Sequence, residues 1–306
     1  MTHVITCRDL VRGYGRTRVL DGVSFSVQEG EVIGLLGRNG TGKTTLVRLL
    51  MGMLAPHAGA VSVFGRSPFH EPVAVRRRIG FVAEDQPLPP IWRVQEVVAL
   101  HQRLFPSWDH VLAESLRARF GLDGRAPLRT LSNGQRRQVA LLCAVAHRPE
   151  LLLLDEPAGG LDPVARREFL ETTIQLLNTH GTTVLLSSHQ LADVERLGGR
   201  VLLLDDGRVR VDASVDALRE SHSVAVVPRS ARIRDVLVDE ALLRALPDVI
   251  GVRTMEHAWH VVFAIAPRDA VVHLHARGLF GVTCAAVPLE ELFIALTGAE
   301  RAPVPT

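Results

Sequence analysis

The sequence predicts an α/β protein, with a largely parallel sheet covered by helices on both faces, a small antiparallel subsheet beside it and a small α+β region after it. Three observations carry this expectation. The run "EVIGLLG" (31–37) reads as a buried strand ending in glycine, and "TTLVRLLMGML" behind it places apolar residues at helical spacing. The short apolar runs "LLLLD" (151–155), "TVLLSS" (183–188) and "VLLLDDGRVRV" (201–211) alternate with helical patterns at about 94–105, 109–120, 134–147 and 163–179. Strands this continuously apolar are buried on both faces, as in parallel sheets. By contrast, "VSFSV" (23–27) and "AVSVFG" (60–65) alternate, which suits a sheet with one solvated face.

Taken in chain order, the alternating strands come first, followed by the strand, glycine loop and helix of 31–53. "IGFVAE" (79–84) is a further strand, after which the helical patterns begin. Asp206-Gly207 inside "VLLLDDGRVRV" signals a hairpin turn, because both residues tolerate positive φ. From residue 222 the pattern weakens into "SVAVVP", "WHVVFAI", "DAVVHLHARGL" and "VTCAAV", closed by the helical "LEELFIALTG". That region, 222–306, is large enough to fold as its own unit.

Composition bounds the function. With 47% hydrophobic and 22% charged residues over 306 positions, the chain is globular, in one large or two ordinary domains. A net charge of +2, with no interleaving of basic and aromatic residues, argues against a nucleic-acid partner. Arg76, Arg77 and Arg78 read as a solvated face. Cys7, Cys143 and Cys284 have no paired spacing and read as small hydrophobes in a reducing compartment. No apolar run approaches the roughly 20 residues of a membrane span, so the chain is expected in the cytosol, reaching a membrane only through a partner.

Lys43 is the only lysine in the chain, all other basic side chains counted with it being arginine. It stands in "GRNGTGKTT" (37–45), where Gly37, Gly42, Lys43 and Thr44 fit G-x-x-x-x-G-K-[ST] between a strand and a helix. Glycines let backbone amides wrap phosphate oxygens, and the helix directs its first N–H groups at the same charge. A compact ammonium on a flexible stem fits that cradle better than the planar fork of arginine. Asn39, Gly40 and Thr45 complete the expected nucleotide contacts, and the Thr44 hydroxyl is expected on Mg²⁺. "LLLLDEP" ends a central strand in two acids: Asp155 as a metal carboxylate, Glu156 as the group that orients and polarises an attacking water. Taken without the glycine loop, the same two acids read as a cap on a turn.

These residues carry a resemblance to the ABC ATPases. "LSNGQRRQ" (131–138) resembles their signature motif, "GGLDP" (159–163) their D-loop, and "SSH" (187–189) their switch histidine. The likeness spans residues 1 to about 220 and is similar to the separately encoded ATPase subunits of ABC-2-type exporters. "FPSWD", "AHRPELLLLDEP" and "LDPVARREFL" resemble a branch linked to small-molecule resistance or acetoin-related operons, and "LEELFIALTG" resembles the C-terminal tail of drug- and sodium-exporter ATPases. The resemblance implies a P-loop NTPase core over 1–221, with an antiparallel β subdomain and a helical subdomain at about 84–148, and 222–306 as an accessory domain.

It also implies roles. Two such domains close head to tail, so that Ser132, Gly134 and Gln135 of one meet the γ-phosphate of ATP held by the other; read locally, "LSNG" is a helix-capping turn. Tyr14 stacks on adenine or is a half-buried turn aromatic. His189 lies near the γ-phosphate, and Asp162 lines the dimer seam or caps a helix before Pro163. Three positions depart from the family pattern. Glu84 stands where many relatives have a metal-contacting glutamine, with Gln86 two residues on. Asn133 replaces a glycine and Arg38 a proline.

The expected function is an ATP- and Mg²⁺-dependent subunit that powers export through a transmembrane permease on a separate chain, working as a homodimer or heterodimer at the inner face of the membrane. "LPPIWRVQEVVAL" (88–100) is the expected groove for the permease, or else core of the helical subdomain. An importer ATPase shares every one of these groups. A soluble, non-transport ABC ATPase is the other alternative, although such proteins usually carry two cassettes or a long coiled coil, and no such arm fits between Lys43 and Ser132; a catalytically dead scaffold is disfavoured because Glu156 and His189 are both present.

Overall fold

This computed structural model describes residues 3–298, apart from 86–87, 198 and 234–235, and apart from the side chains of 176–180. Gln86 and the tail after 298 therefore lie outside the described residues. The chain divides by its internal contacts into two units, Met1–Asp212 and Ala213–Thr306. The first opens with β1 (His3–Tyr14), β2 (Thr17–Gln28), β3 (Val32–Leu36) and α1 (Lys43–Leu50). It continues through β4 (Ala58–Val63), α2 (Pro72–Arg76), β5 (Ile79–Val82), α3 (Val94–Leu104), α4 (His110–Arg119) and α5 (Asn133–Val145). After these come β6 (Leu151–Asp155), α6 (Pro163–His180), β7 (Thr183–Ser188), α7 (Leu191–Leu197), β8 (Arg200–Asp205) and β9 (Arg208–Ser214).

Two sheets organise this unit. One is antiparallel, in the order β2-β1-β4; the other runs β5-β6-β7-β3-β8-β9 and is parallel from β5 to β8. Alternate residues of a strand face opposite sides, which explains why "LLLL" carries no polar member. Leu151 and Leu153 enter a core with α1 and the antiparallel sheet, through Leu46, Leu49, Val23 and Ile33. Leu152 and Leu154 enter a second core with α5 and α6, through Val139, Leu142 and Phe169. Each fully buried leucine contributes about 1.5–3 kcal/mol. A polar residue anywhere in the run would therefore have to desolvate on one face or the other.

Helix starts are marked by the expected chemistry. Asp109 Oδ1 accepts from the Leu112 amide at 2.9 Å at the head of α4, and Asp162 Oδ1 accepts from Val164 and Ala165 before α6. Asp206 and Gly207 take φ of 46° and 71° between β8 and β9, the left-handed pair that a tight hairpin needs.

The arginine run departs from a plain solvated face. Arg76 donates to the carbonyls of Met51 and Gly52 at 2.8 and 3.0 Å. Arg78 pairs with Glu150 and lies 3.8 Å over the Phe64 ring. The run thus ties the end of α2 to the chain after α1 and to the turn that follows β4, because a long planar cation can reach both backbone and ring. Cys7 and Cys143 are buried free thiols, and burial pushes Cys143 up to about 12. No helix among the described residues is long and apolar enough to cross a membrane.

The second unit comprises α8 (Val215–Ser221), β10 (Ser223–Pro228), β11 (Arg232–Ile233), β12 (Val236–Leu237), α9 (Glu240–Arg244), β13 (Val249–Thr254), β14 (Ala258–Phe263), α10 (Pro267–Ala276), β15 (Thr283–Ala286) and α11 (Leu289–Thr297). Its sheet runs β13-β14-β10-β15, antiparallel throughout, over a core of Val227, Val261, Phe263, Leu243 and Leu274. The division falls ahead of the expected 221/222 limit because α8 packs on α11.

Candidate active site

The site begins where β3 ends. The loop 37–42 turns the chain back into α1, and two of its glycines are required by geometry. A Cβ on Gly37 would stand 2.5 Å from Thr41 Oγ1 and 2.6 Å from the Leu204 carbonyl. Gly42 has φ of +107°, and a Cβ there would meet Leu20 Cδ2 at 2.7 Å. Gly42 is the N-cap of α1, whose first turn holds no acidic residue to neutralise its free N–H groups. Lys43 is buried. Its Nζ donates to the carbonyls of Gly37 at 2.7 Å and Arg38 at 3.3 Å, and stands 3.3 Å from Glu156 Oε1.

The carboxylates arrive from β6. Asp155 is 2% exposed and accepts a 2.6 Å hydrogen bond at Oδ1 from the Ser187 hydroxyl, which faces it in the β6–β7 register. Glu156 has φ of 46°, a left-handed conformation costing about 1–3 kcal/mol in a residue other than glycine. Two contacts hold it there: its N–H donates to the Ser187 carbonyl and to Ser187 Oγ, both at 3.1 Å. The turn leaves one carboxylate oxygen beside Lys43 and the other 2.8 Å from His189 Nδ1. A carboxylate only accepts, so Nδ1 carries the proton. The loop holding His189 is fixed in turn, since Arg166 Nε donates to Asp193 at 2.7 Å and Ser188 Oγ to the same carboxylate at 3.1 Å.

A cavity of about 330 Å³ opens over these groups, lined by Asn39, Gly40, Gly42, Lys43, Thr44, Thr45, Val19, Glu84 and Glu156. The structure thus brings together the glycine loop, Glu84 and Glu156, with Asp155 and His189 in direct or adjacent contact. It does not bring in the other four residues. Ser132 and Gln135 form a reciprocal cap at the head of α5, Gln135 N–H to Ser132 Oγ at 3.1 Å and Ser132 N–H to Gln135 Oε1 at 3.0 Å. Neither they nor Gly134 lines the cavity. Tyr14 is half exposed, its ring centroid 5.3 Å from the Arg12 guanidinium, and it too is absent from the lining.

The donor set fits a hard divalent cation. A hydroxyl and carboxylates converge on a cleft shaped for phosphate, and buried Glu156 Oε1 is ion-paired with Lys43 at 3.3 Å without making a hydrogen bond. Mg²⁺ is usually held by one or two carboxylates together with substrate phosphate, so no preformed cage of protein ligands is needed. Sequence reasoning missed Ser187, Arg166, Asp193 and Arg137. The one local signal for Ser187 is a polar residue ending an otherwise apolar strand. The others act across the fold.

The kinship of the chain agrees with this geometry. A sequence model described as ABC transporter matches residues 20–159, from within β2 to the turn after Glu156. Nod factor export ATP-binding protein I of Burkholderia lata is 32% identical over 308 residues, covering 97% of each chain. ABC transporter ATP-binding protein YtrB of Bacillus subtilis is 32% identical over 219 residues, 72% of this chain and 75% of its own. A solved structure described as the ATP binding subunit of an ABC transporter superposes with a TM-score of 0.64 at 29% identity, over 71% of this chain and 92% of that one. With a relative aligned almost end to end and the nucleotide cleft built from its own residues, the chain belongs to the ABC transporter family, as an ATP-binding, ATP-hydrolysing subunit.

Proposed function

We propose that this subunit powers export through a permease encoded as a separate chain. The observation that carries the direction is the alignment over 97% of both chains with a relative whose name describes export, which includes the accessory region as well as the cassette. The permease docks along 88–100, where Ile91 is exposed beside the half-buried Trp92, and holds the protein at the inner face of the membrane.

In the reaction, the phosphates of ATP lie on the amides of 37–45. The γ-phosphate replaces Glu156 as the partner of Lys43, which is already within 3.3 Å of that carboxylate. Glu156, freed from the cation and still held by His189, then takes the proton of the attacking water as the new oxygen–phosphorus bond forms and the bond to the ADP oxygen breaks. Thr44, Asp155 and Glu84 are the residues that would hold Mg²⁺, which when bound neutralises charge on the β- and γ-phosphates. Tyr14 stacks on the adenine. Ser132, Gly134 and Gln135, exposed or half-buried outside their own cleft, complete the site of a second ATPase chain.

The test is co-purification of tagged Glu156→Gln protein from native membranes with ATP. A multispanning membrane protein recovered with it supports the reading. Recovery of soluble partners alone, or of a permease with a solute-binding protein, overturns it.

A further inference from the structure

We infer that Arg137 is a positioning residue for Glu84, clamping the backbone from which that carboxylate faces the nucleotide cleft. The guanidinium leaves α5 and donates to the carbonyl oxygens of both Ala83 and Glu84. Those carbonyls follow directly on β5, and β5 pairs with β6 so that Val82 stands beside Leu154. The clamped segment therefore emerges next to Asp155 and Glu156, and Glu84 lines the cavity with Thr44 and Glu156. The inference rests on the reading of this cleft as a Mg²⁺–nucleotide site.

Residue type matters here. Two successive carbonyls present two acceptors, and the planar fork of Arg137 meets each with a separate nitrogen, Nη1 to Ala83 and Nη2 to Glu84, where an ammonium has to serve both from one point. The neighbouring side chain on α5 points elsewhere, Gln138 donating to Glu168 of α6 at 3.2 Å. α5 thus holds one neighbour with each of two consecutive residues. Charge adds a second reason. Glu84 and Asp85 are adjacent acids beside a phosphate site, and their attraction on Arg137 opposes the burial that pulls its guanidinium below the usual value. The clamp thereby offsets repulsion that a neutral glutamine at 84 would not create. Because Ser132 and Gly134 begin the same helix, a displacement of α5 carries Glu84 with it.

The experiment titrates MgCl₂ against binding of a fluorescent ATP analogue to full-length protein carrying Glu156→Gln, so that binding is read without turnover. Adding Arg137→Met should raise the half-saturating Mg²⁺ on the order of 10-fold, the scale of losing a partner that orients a ligand, while affinity in EDTA stays unchanged. Arg137→Lys should fall between. In protein that already carries Glu84→Ala, Arg137→Met should add nothing. If Arg137→Met does not fold, Arg137→Gln, which keeps one donor pair, is expected to shift the midpoint in the same direction. An unmoved Mg²⁺ midpoint, an equal loss with and without metal, or a full shift on top of Glu84→Ala would each overturn the inference. Failure of the cleft reading itself looks different, since Lys43→Ala would then bind the analogue as well as its parent.

Discussion

Glu156 shows how much local strain the site maintains. Its backbone sits at positive φ without being glycine, and the hydroxyl and carbonyl of Ser187 hold its N–H in place. The result is a buried carboxylate between a cation and an imidazole, ready to exchange one for phosphate while the other keeps its orientation. Two substitutions separate these duties. Glu156→Gln removes the proton acceptor but preserves the shape, so ATP binding should persist while hydrolysis slows by a factor on the order of 10² to 10⁴. Lys43→Ala removes the cation from the cradle and should weaken ATP binding itself, measured by equilibrium titration. Equal turnover in the first, or equal affinity in the second, would take that residue out of its assigned role. At this scale the sequence was informative wherever phosphate chemistry forces neighbours in space to be neighbours in sequence. That Lys43, Thr44 and Glu156 meet at one cleft was legible for that reason. Ser187 and Arg137 act on residues 31 and more than 50 positions away, and no local pattern announces such a contact.

Among the elements, the strongly periodic ones agreed with expectation, and the departures came from tertiary contacts. The four helices expected between 94 and 179 formed within a residue or two of their limits, and Asp109, Ser132 and Asp162 cap the starts of three of them. The arginine run after Pro72 was read from charge alone, and charge does not reveal that Phe64 and Glu150 lie within reach of Arg78. His147, just past the end of α5, is a similar case. Its ring stacks on Phe105 of the α3 end at a centroid distance of 3.9 Å, and its Nε2–H donates to the Ile79 carbonyl at 3.2 Å. Burial is the main cause that lowers its pKa from 6.5 to about 4, with His101 nearby adding to it and the backbone contacts opposing. Between those two values the unfolded chain binds a proton that the folded chain refuses, so stability falls as pH drops from 6.5 to 4. His147→Phe should flatten that part of the profile. Urea midpoints measured across the window on parent and variant would check it, and parallel curves would contradict it.

For the molecule as a whole, the sequence supported a parallel sheet and a separate C-terminal region but not the strand order β5-β6-β7-β3-β8-β9. Apart from β8 and β9, which the Asp206-Gly207 hairpin joins, adjacent strands in that order are not linked by a short turn, and nothing in a five-residue apolar run names its neighbour. The second unit is different, since its sheet and its core are drawn from its own residues. An isolated fragment 213–306 should therefore unfold in one cooperative transition by calorimetry. A broad, heatless transition would show that the region needs the cassette to fold.

The position of β3 has a consequence for biosynthesis. This strand and its glycine loop leave the ribosome early, yet the strands on either side of it are β7 and β8, which end at Ser188 and Asp205. At translation rates of about 5–20 residues per second, β3 waits on the order of ten seconds for its partners. In that interval its apolar side chains can be covered only from one face, by α1 and the antiparallel strands made before residue 64. The carboxylates of β6 likewise arrive after the loop they will serve. The burden of covering the early segment therefore falls on the β1-β2-β4 sheet, the part of its core already made.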